Sequence, residues 1–282
     1  MHVTEGFFEN NKGQRLHYHG WHPSSGEVRG VLIIVHGAWE HALRYKNVIN
    51  KVVPEGLVVW SYDHRGHGQS EGRPIFVDSF DDYLDDLSLF EHFVREQHPP
   101  STPTHLLGHS MGSAIATHYM AGRANQSMFT SLVLSGTGAS VGPEVKSSKR
   151  LAAKVFSKLL PKIYMDSGVQ PEFISHDKSV VEEYINDPFV AKKSTPRFGA
   201  ELIKAMDSMA SQAKKIIVPT LVQIGSEDTA FAPESRQVLF DALPTTEKEL
   251  KIYQGLRHEV YNEVEKDKVL DDLLRWLLSR SS

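Results

Sequence analysis

The sequence predicts an α/β fold whose sheet is mostly parallel and flanked by helices. Continuous β-branched runs recur along the chain, each closes on a Gly, Asp or Ser cluster, and amphipathic helical segments separate them. At 282 residues and 40% hydrophobic, the chain is long enough to bury one large core that carries an insertion.

The first run, "GVLIIVHG" after Arg29, is continuous and β-branched, as suits a strand covered on both faces. "GLVVWSYD" (56–63) repeats the pattern. "SFDDYLDDLSLFEHFVREQ" (79–97) then places Tyr83, Leu87, Phe90 and Val94 at helical spacing. In "THLLGHSMGSAIAT" (104–117) a short strand signal, Leu106-Leu107, stops at Gly108, and a helix-like stretch resumes at Ala114. "SLVLSG" (131–136) and "TLVQIG" (220–225) are further strands, and "ELKIYQGLR" reads as a strand with a turn at Gly255.

Residues from about 140 to 205 break the alternation. "KRLAAKVFSKLLPKIY" carries Leu151, Val155, Phe156, Leu159 and Leu160 on one side and lysines on the other. Pro161, Pro171, Pro188 and Pro196 punctuate the remainder of the stretch. It is read as a helical cap, 140–205, inserted into a core made of 1–139 and 206–282. Its apolar face either packs on the sheet or lines an acyl tunnel and touches a membrane, with lysines at the headgroups.

Composition narrows the chemistry. A net charge of −4 and a pI near 6.4 are too mild for a nucleic-acid partner or a polybasic membrane anchor. The chain contains no cysteine, which excludes disulfides, thiol nucleophiles and cysteine-ligated metals. The opening "MHVTEGFFENNKGQRLHYHGW" lacks an apolar core preceded by positive charge, so no secretory signal is expected. No apolar stretch approaches the roughly 20 residues that span a bilayer. A soluble cytoplasmic protein, peripheral at membranes if its cap touches them, is expected.

Ligands in parallel sheets gather beyond the carboxyl ends of the strands, and the candidate residues lie there. Gly108-His109-Ser110-Met111-Gly112 sits between a strand and a helix, where G-x-S-x-G makes a sharp elbow that lifts the serine oxygen above the sheet. The helix after the elbow turns its free N–H groups and the positive end of its dipole towards Ser110. A serine needs a base, and the base an orienting acid, in the chain order Ser, Asp or Glu, His. Of the 15 histidines only His118, His176 and His258 lie beyond Ser110. His118 would lie on the helix leaving the elbow and His176 in the cap, which leaves His258. "TLVQIGSEDTAFAP" offers Glu227 and Asp228 for the acid. Asp228 is preferred as the shorter carboxylate past the turn; Glu227 is the alternative. Asp63, in "YDHRGHGQS", precedes the serine and reads as part of a hydrogen-bonded supporting loop. The expected oxyanion donors are the N–H groups of Met111 and of Ala38, in "VHGAWEH" (35–41).

"HGAWEHALRY", "DHRGHGQSEG", "LLGHSMGSA", "YINDPFV", "GSEDTAFAP" and "LKIYQGLRHEVYNE" together resemble the monoacylglycerol lipases of the α/β-hydrolase superfamily, from about residue 5 to the C-terminus. "GHSMG" is shared by many esterases, whereas "HGxxEH" with "DHxGHGxSEG" is far more specific. The resemblance implies an α/β-hydrolase fold and hydrolysis of a small lipid ester, monoacylglycerol, to fatty acid and glycerol, without metal or organic cofactor. It places the triad on Ser110, Asp228 and His258, the oxyanion donors on Ala38 and Met111, and the glycerol-holding residues on Glu40, Arg44, His109 and Tyr184. Glu40 and Arg44 also have the i, i+4 spacing of a simple helix-face pair. Two positions depart from the family: Trp39 stands at a frequent glycine and is expected to reshape the head-group pocket, and Ser113 replaces another, with an expected effect on helix packing. The same machinery would serve a lysophospholipase, a general carboxylesterase or an acyltransferase to another alcohol. A ligand-binding α/β-hydrolase without turnover is the reading from a different class.

Overall fold

The computed structural model describes residues 1–140 and 147–281, the side chains of 147–152 excepted, so the side chain of Leu151 lies outside the described residues. The strands are β1 (His2–Glu9), β2 (Arg15–His22), β3 (Gly30–Val35), β4 (Leu57–Tyr62), β5 (Thr104–His109), β6 (Ser131–Ser135), β7 (Met165–Asp166), β8 (Lys193–Ser194), β9 (Thr220–Gly225) and β10 (Lys248–Tyr253). The helices are α1 (Lys46–Val52), α2 (Asp81–Glu96), α3 (Met111–Gly122), α4 (Ser147–Leu159), α5 (Lys178–Asn186), α6 (Pro196–Asp207), α7 (Met209–Ala213), α8 (Pro233–Ala242) and α9 (Lys266–Leu278).

Eight strands form one sheet in the order β1-β2-β4-β3-β5-β6-β9-β10. From β4 to β10 every neighbouring pair is parallel, and β2 runs antiparallel to both β1 and β4. The mostly parallel sheet expected from the apolar runs is therefore present, with an antiparallel edge added at its start.

Strand alternation explains why those runs are unbroken. Val31, Ile33 and Val35 of β3, with Val58, Trp60 and Tyr62 of β4, join the core layer under α2 and α3. Leu32, Ile34, Val59, Leu107, Val133 and Leu221 join the opposite layer, under α1 and α9. Each such side chain contributes about 1.5–3 kcal/mol of burial free energy. Helix α2 buries Tyr83, Leu87, Phe90 and Val94, the stripe its sequence shows, and places Asp81 and Asp82 at its dipole's positive end.

The strand order also locates a crevice. The chain leaves β3 for β4 on one side and then returns to β5 on the other. The loops after β3 and β5 consequently diverge, and a gap opens at the carboxyl ends of the two strands.

Between β6 and β9 the chain departs from the sheet. Helix α4 packs against α6, and β7 and β8 pair as a short antiparallel ribbon, Met165 opposite Ser194. Thr195 caps α6 by accepting from the Phe198 amide, with Pro196 opening the helix. The sheet does not cover the apolar face of α4 and the turn after it: Leu159 is 72% exposed, and Val155, Phe156 and Leu160 are also exposed. No helix among the described residues is long and apolar enough to cross a membrane.

Candidate active site

Ser110 stands between the last residue of β5 and the first of α3. Its backbone sits at φ 54° and ψ −119°, a strained conformation for a residue with a Cβ. Tight packing enforces that turn. A Cβ on Gly112 would lie 2.0 Å from the Val35 carbonyl oxygen, and one on Gly108 would lie 2.3 Å from the carbonyl oxygen of Gly112 itself. The two glycines are thus the means by which α3 is pressed onto β3 and β5. Ser113 does more than pack within its helix: its hydroxyl donates to the Ser110 carbonyl at 2.6 Å and accepts from Thr137 Oγ1 at 2.8 Å, fastening the elbow to the loop after β6.

His258 arrives from the loop after β10, where its ring nitrogen Nδ1 lies 2.9 Å from Asp228 Oδ2. Burial alone would lower the imidazole's affinity for a proton, but the Asp228 carboxylate outweighs it and holds His258 above the ordinary histidine value. Reciprocally, burial would lift Asp228, and the facing imidazole keeps it below the usual carboxylate range. Asp228 also accepts from the Ala230 amide at 2.9 Å, and its carbonyl accepts from Arg236. Glu227 turns the other way, 3.2 Å from His176 Nε2. His118 hydrogen-bonds Ala205 and Ser208 on the far side of α3. Two candidate pairs meet, and of these only Asp228 and His258 line the same cavity as Ser110.

Asp63 supports the floor. Its carboxylate accepts from the amides of Ala42 (2.9 Å) and Gln69 (2.8 Å), which ties the loop after β4 to the loop after β3. Beside it, His36, His64 and His67 are packed together in the core; burial pushes His64 down to about 3 and His67 to about 4, so both are neutral at physiological pH.

A cavity of about 680 Å³ opens above the crevice. At its sheet end lie Ala38, Glu40, His109, Ser110, Tyr184, Asp228 and His258. Towards α4 and α6 the lining becomes apolar, with Phe156, Phe173, Leu202, Ile203 and Met206. Met111 contributes its backbone at the elbow while its side chain is fully buried below.

Arg44 is set behind this wall rather than in it. Its Nε is 3.3 Å from Glu40 Oε2, its Nη2 lies 2.9 and 2.6 Å from the two carboxylate oxygens of Glu259, and its guanidinium stands 4.9 Å over the Tyr184 ring. Glu40 in turn accepts from Tyr45 Oη at 2.7 Å and from the Gly37 amide at 2.5 Å. The i, i+4 pair is therefore real, and one of its members also lines the cavity. Burial first, and then the charge of Glu259, raise the Glu40 carboxyl. His109, whose Nδ1 is 3.2 Å from Ser135 Oγ, is driven well below the histidine range by burial and by the neighbouring His258.

Two features were not apparent in the sequence. Glu259 lines the cavity and anchors Arg44 across 215 positions; its place directly after His258 was the one available signal. Trp39 adopts φ 64°, a left-handed backbone that favours glycine. The turn therefore accounts for the frequent glycine there, and in this chain an indole enters the cavity wall instead, 5.7 Å from the Phe198 ring.

A family model described as serine aminopeptidase, S33, matches residues 26–265. The chain is 33% identical to the monoacylglycerol lipase of Mycolicibacterium smegmatis over 98% of its own length and 97% of the relative's. It is 30% identical to the human monoglyceride lipase, covering 97% of this chain and 90% of that one. Among solved structures, a soluble variant of the Saccharomyces cerevisiae monoglyceride lipase, crystallised with a substrate analog, superposes with a TM-score of 0.89. That match covers 98% of this chain and 95% of the other at 23% identity, and it speaks for the fold. With the sheet order, the serine elbow and these likenesses together, the chain belongs to the serine aminopeptidase S33 family of α/β-hydrolases, in the company of the monoacylglycerol lipases.

Proposed function

We propose that the chain is a serine ester hydrolase that cleaves monoacylglycerols to fatty acid and glycerol through an acyl-enzyme. The observation that carries this reading is the cavity: polar side chains stand beside Ser110, apolar ones beyond it, a lining matched to a substrate with a polar head and a long chain. Ser110 Oγ attacks the ester carbonyl carbon as His258 Nε2 takes its proton, with Asp228 fixing the ring through Nδ1. The amides of Ala38 and Met111 receive the oxyanion. The intermediate collapses, the C–O bond breaks, and His258 hands its proton to the departing glycerol oxygen. Water then attacks the acyl-enzyme, losing a proton to His258, and Ser110 is regenerated with release of the fatty acid.

The head-group end is assigned to Glu40, His109 and Tyr184, with Arg44 holding Glu40 in place. Neutral hydroxyls suit this lining, whereas a phosphate-bearing head group would approach the buried carboxylates of Glu40 and Glu259. That arrangement favours monoacylglycerols over lysophospholipids. For entry of the chain we assign the exposed face of 155–164 to a membrane surface. Val155, Leu159, Leu160 and Tyr164 are exposed there among Lys154, Lys158 and Lys162. A cytoplasmic, peripheral enzyme fits this surface.

Ser110→Ala is expected to keep its circular dichroism and melting temperature and to lose monoacylglycerol hydrolysis by about 10⁴-fold or more. A fluorophosphonate is expected to label Ser110 and no other serine. A substituted chain that hydrolyses at the original rate, or labelling elsewhere, overturns the mechanism. Faster cleavage of lysophospholipids than of monoacylglycerols overturns the substrate assignment alone.

A further inference from the structure

The first hairpin of the chain carries a cluster that the hydrolytic site does not use. His17 and His19 are two residues apart on β2 and so share one face of the strand. Glu5 on β1 is the direct cross-strand partner of His19. One donor atom from each of the three lies within 4.8 Å of the others. Donors around a tetrahedral zinc ion stand about 3.3–3.6 Å apart, so the cluster needs a contraction of roughly 1 Å. Glu5 Oε2 already stands 3.6 Å from His19 Nδ1, and the Glu5 side chain is 67% exposed, so the closure left to make is towards His17.

His19 provides an independent reason to look for a ligand. Its side chain is only 5% exposed, yet among the described residues no hydrogen bond reaches either ring nitrogen. Nε2 is buried without a partner, and Nδ1 stands 3.6 Å from Glu5 Oε2, beyond hydrogen-bond range. An imidazole sealed from water without a partner forfeits the hydrogen bonds it makes in the unfolded chain, and a cation seated between the strands would give the ring a partner at Nδ1, the nitrogen that faces Glu5.

We propose that Glu5, His17 and His19 bind one divalent first-row transition cation, zinc by the chemistry of two imidazoles and a carboxylate, and that the ion clamps edge strand β1 to β2. The consequence is structural. Along β1 the first four residues are all exposed, held to β2 by the ladder, the His2–His22 stack and the Thr4 hydroxyl; an ion coordinated from both strands adds a cross-link at the middle of the hairpin. The site is on the antiparallel edge, separated from the crevice by β4 and β3, so hydrolysis does not depend on it.

Zinc chloride titrated into the metal-stripped full-length chain in a calorimeter is expected to saturate at one equivalent and to raise the melting temperature. Glu5→Gln is expected to weaken binding by more than about tenfold and to remove most of the thermal shift; Glu5 is exposed and the substitution isosteric, and retained hydrolytic activity reports that the variant is folded. His19→Asn is expected to abolish binding. Absence of saturable binding overturns the proposal. So does a Glu5→Gln chain that binds zinc as tightly as the unsubstituted one, or binding that is lost only on His176→Asn, which would place the ion at His176, whose ring lies 3.2 Å from Glu227 and 2.9 Å from Glu263.

Discussion

The Arg44 guanidinium is shared by two carboxylates in a buried pocket, and its removal is expected to destabilise the fold to an extent that depends on pH. At separations of about 3 Å and an effective dielectric constant of about 20, each contact represents about 5 kcal/mol of gross attraction. Most of that offsets desolvation, and deleting one member of a buried ion pair has a net effect of about 3–5 kcal/mol. Arg44→Ala leaves Glu40 and Glu259 facing each other without a cation. The Glu40 carboxyl is already raised by burial and by Glu259 while Arg44 opposes them; without the guanidinium it rises further. A carboxyl raised in the folded state preserves stability below its unfolded value, roughly 4.3, and loses it as the pH climbs through the folded value. The loss in Arg44→Ala must therefore grow between pH 5 and pH 8. Each further pH unit by which the carboxyl is lifted corresponds to about 1.4 kcal/mol. Urea unfolding of both chains at the two pH values is expected to show a loss of about 3–5 kcal/mol at pH 8 that is smaller by at least about 1 kcal/mol at pH 5. Adding Glu259→Gln to the variant is expected to recover part of the loss at pH 8. An equal loss at both pH values, or a larger one at pH 5, refutes the assignment of buried ionised carboxylates around Arg44.

Two further outcomes rest on the same geometry. The acid limb of kcat/KM is expected to have its midpoint above the ordinary histidine value of roughly 6.5, because His258 must be neutral to take a proton and its own value is raised by Asp228 with smaller help from Glu259 and Glu40; in Glu259→Gln the midpoint is expected to move down, and a pH-rate profile with an unmoved midpoint contradicts the coupling. Gly112→Ala is expected to reduce stability by more than about 4 kcal/mol, since the new methyl group would stand 2.0 Å from the Val35 carbonyl oxygen, and a melting temperature within a few degrees of the unsubstituted chain would show that α3 is not held where the structure puts it.

The parts of this molecule that could be read without coordinates are those set by local pattern. Strands buried on both faces are apolar at nearly consecutive positions, so β3, β4, β6 and β9 announced themselves, the buried exceptions such as Ser61 and Gln223 being hydrogen-bonded. The elbow was legible for a similar reason, since a serine flanked by glycines at the end of a strand has few other uses. Chain order then reduced three histidines to His258. The choice between Asp228 and Glu227 rested on side-chain length, and the geometry pairs His258 with the first. The antiparallel start was not legible: most of β1 is exposed, and a polar edge strand owes its conformation to its neighbour's hydrogen bonds rather than to its own composition. Ribbon β7–β8 is two residues deep and has no periodicity to detect. The position of Arg44 also escaped the pattern, because the partner that draws it behind the wall, Glu259, is remote in sequence and meets it only once the sheet has closed.

That partner links stability to chemistry. Glu40, Arg44 and Glu259 together place two negative charges and one positive charge in a buried pocket beside the His258 loop. A core of similar volume filled with apolar side chains would be at least as stable, so the arrangement is not explained by folding alone. Its net negative charge acts in the direction a general base requires: it favours the imidazolium that forms when His258 takes the Ser110 proton, adding to the larger influence of Asp228. It also leaves a carboxylate facing the end of the cavity where the hydroxyls of a glycerol would sit. On the proposed reading the same three side chains would disfavour an anionic head group and stabilise the charge that develops on the histidine, so the stability lost on their disruption and the shape of the pH-rate profile are expected to change together.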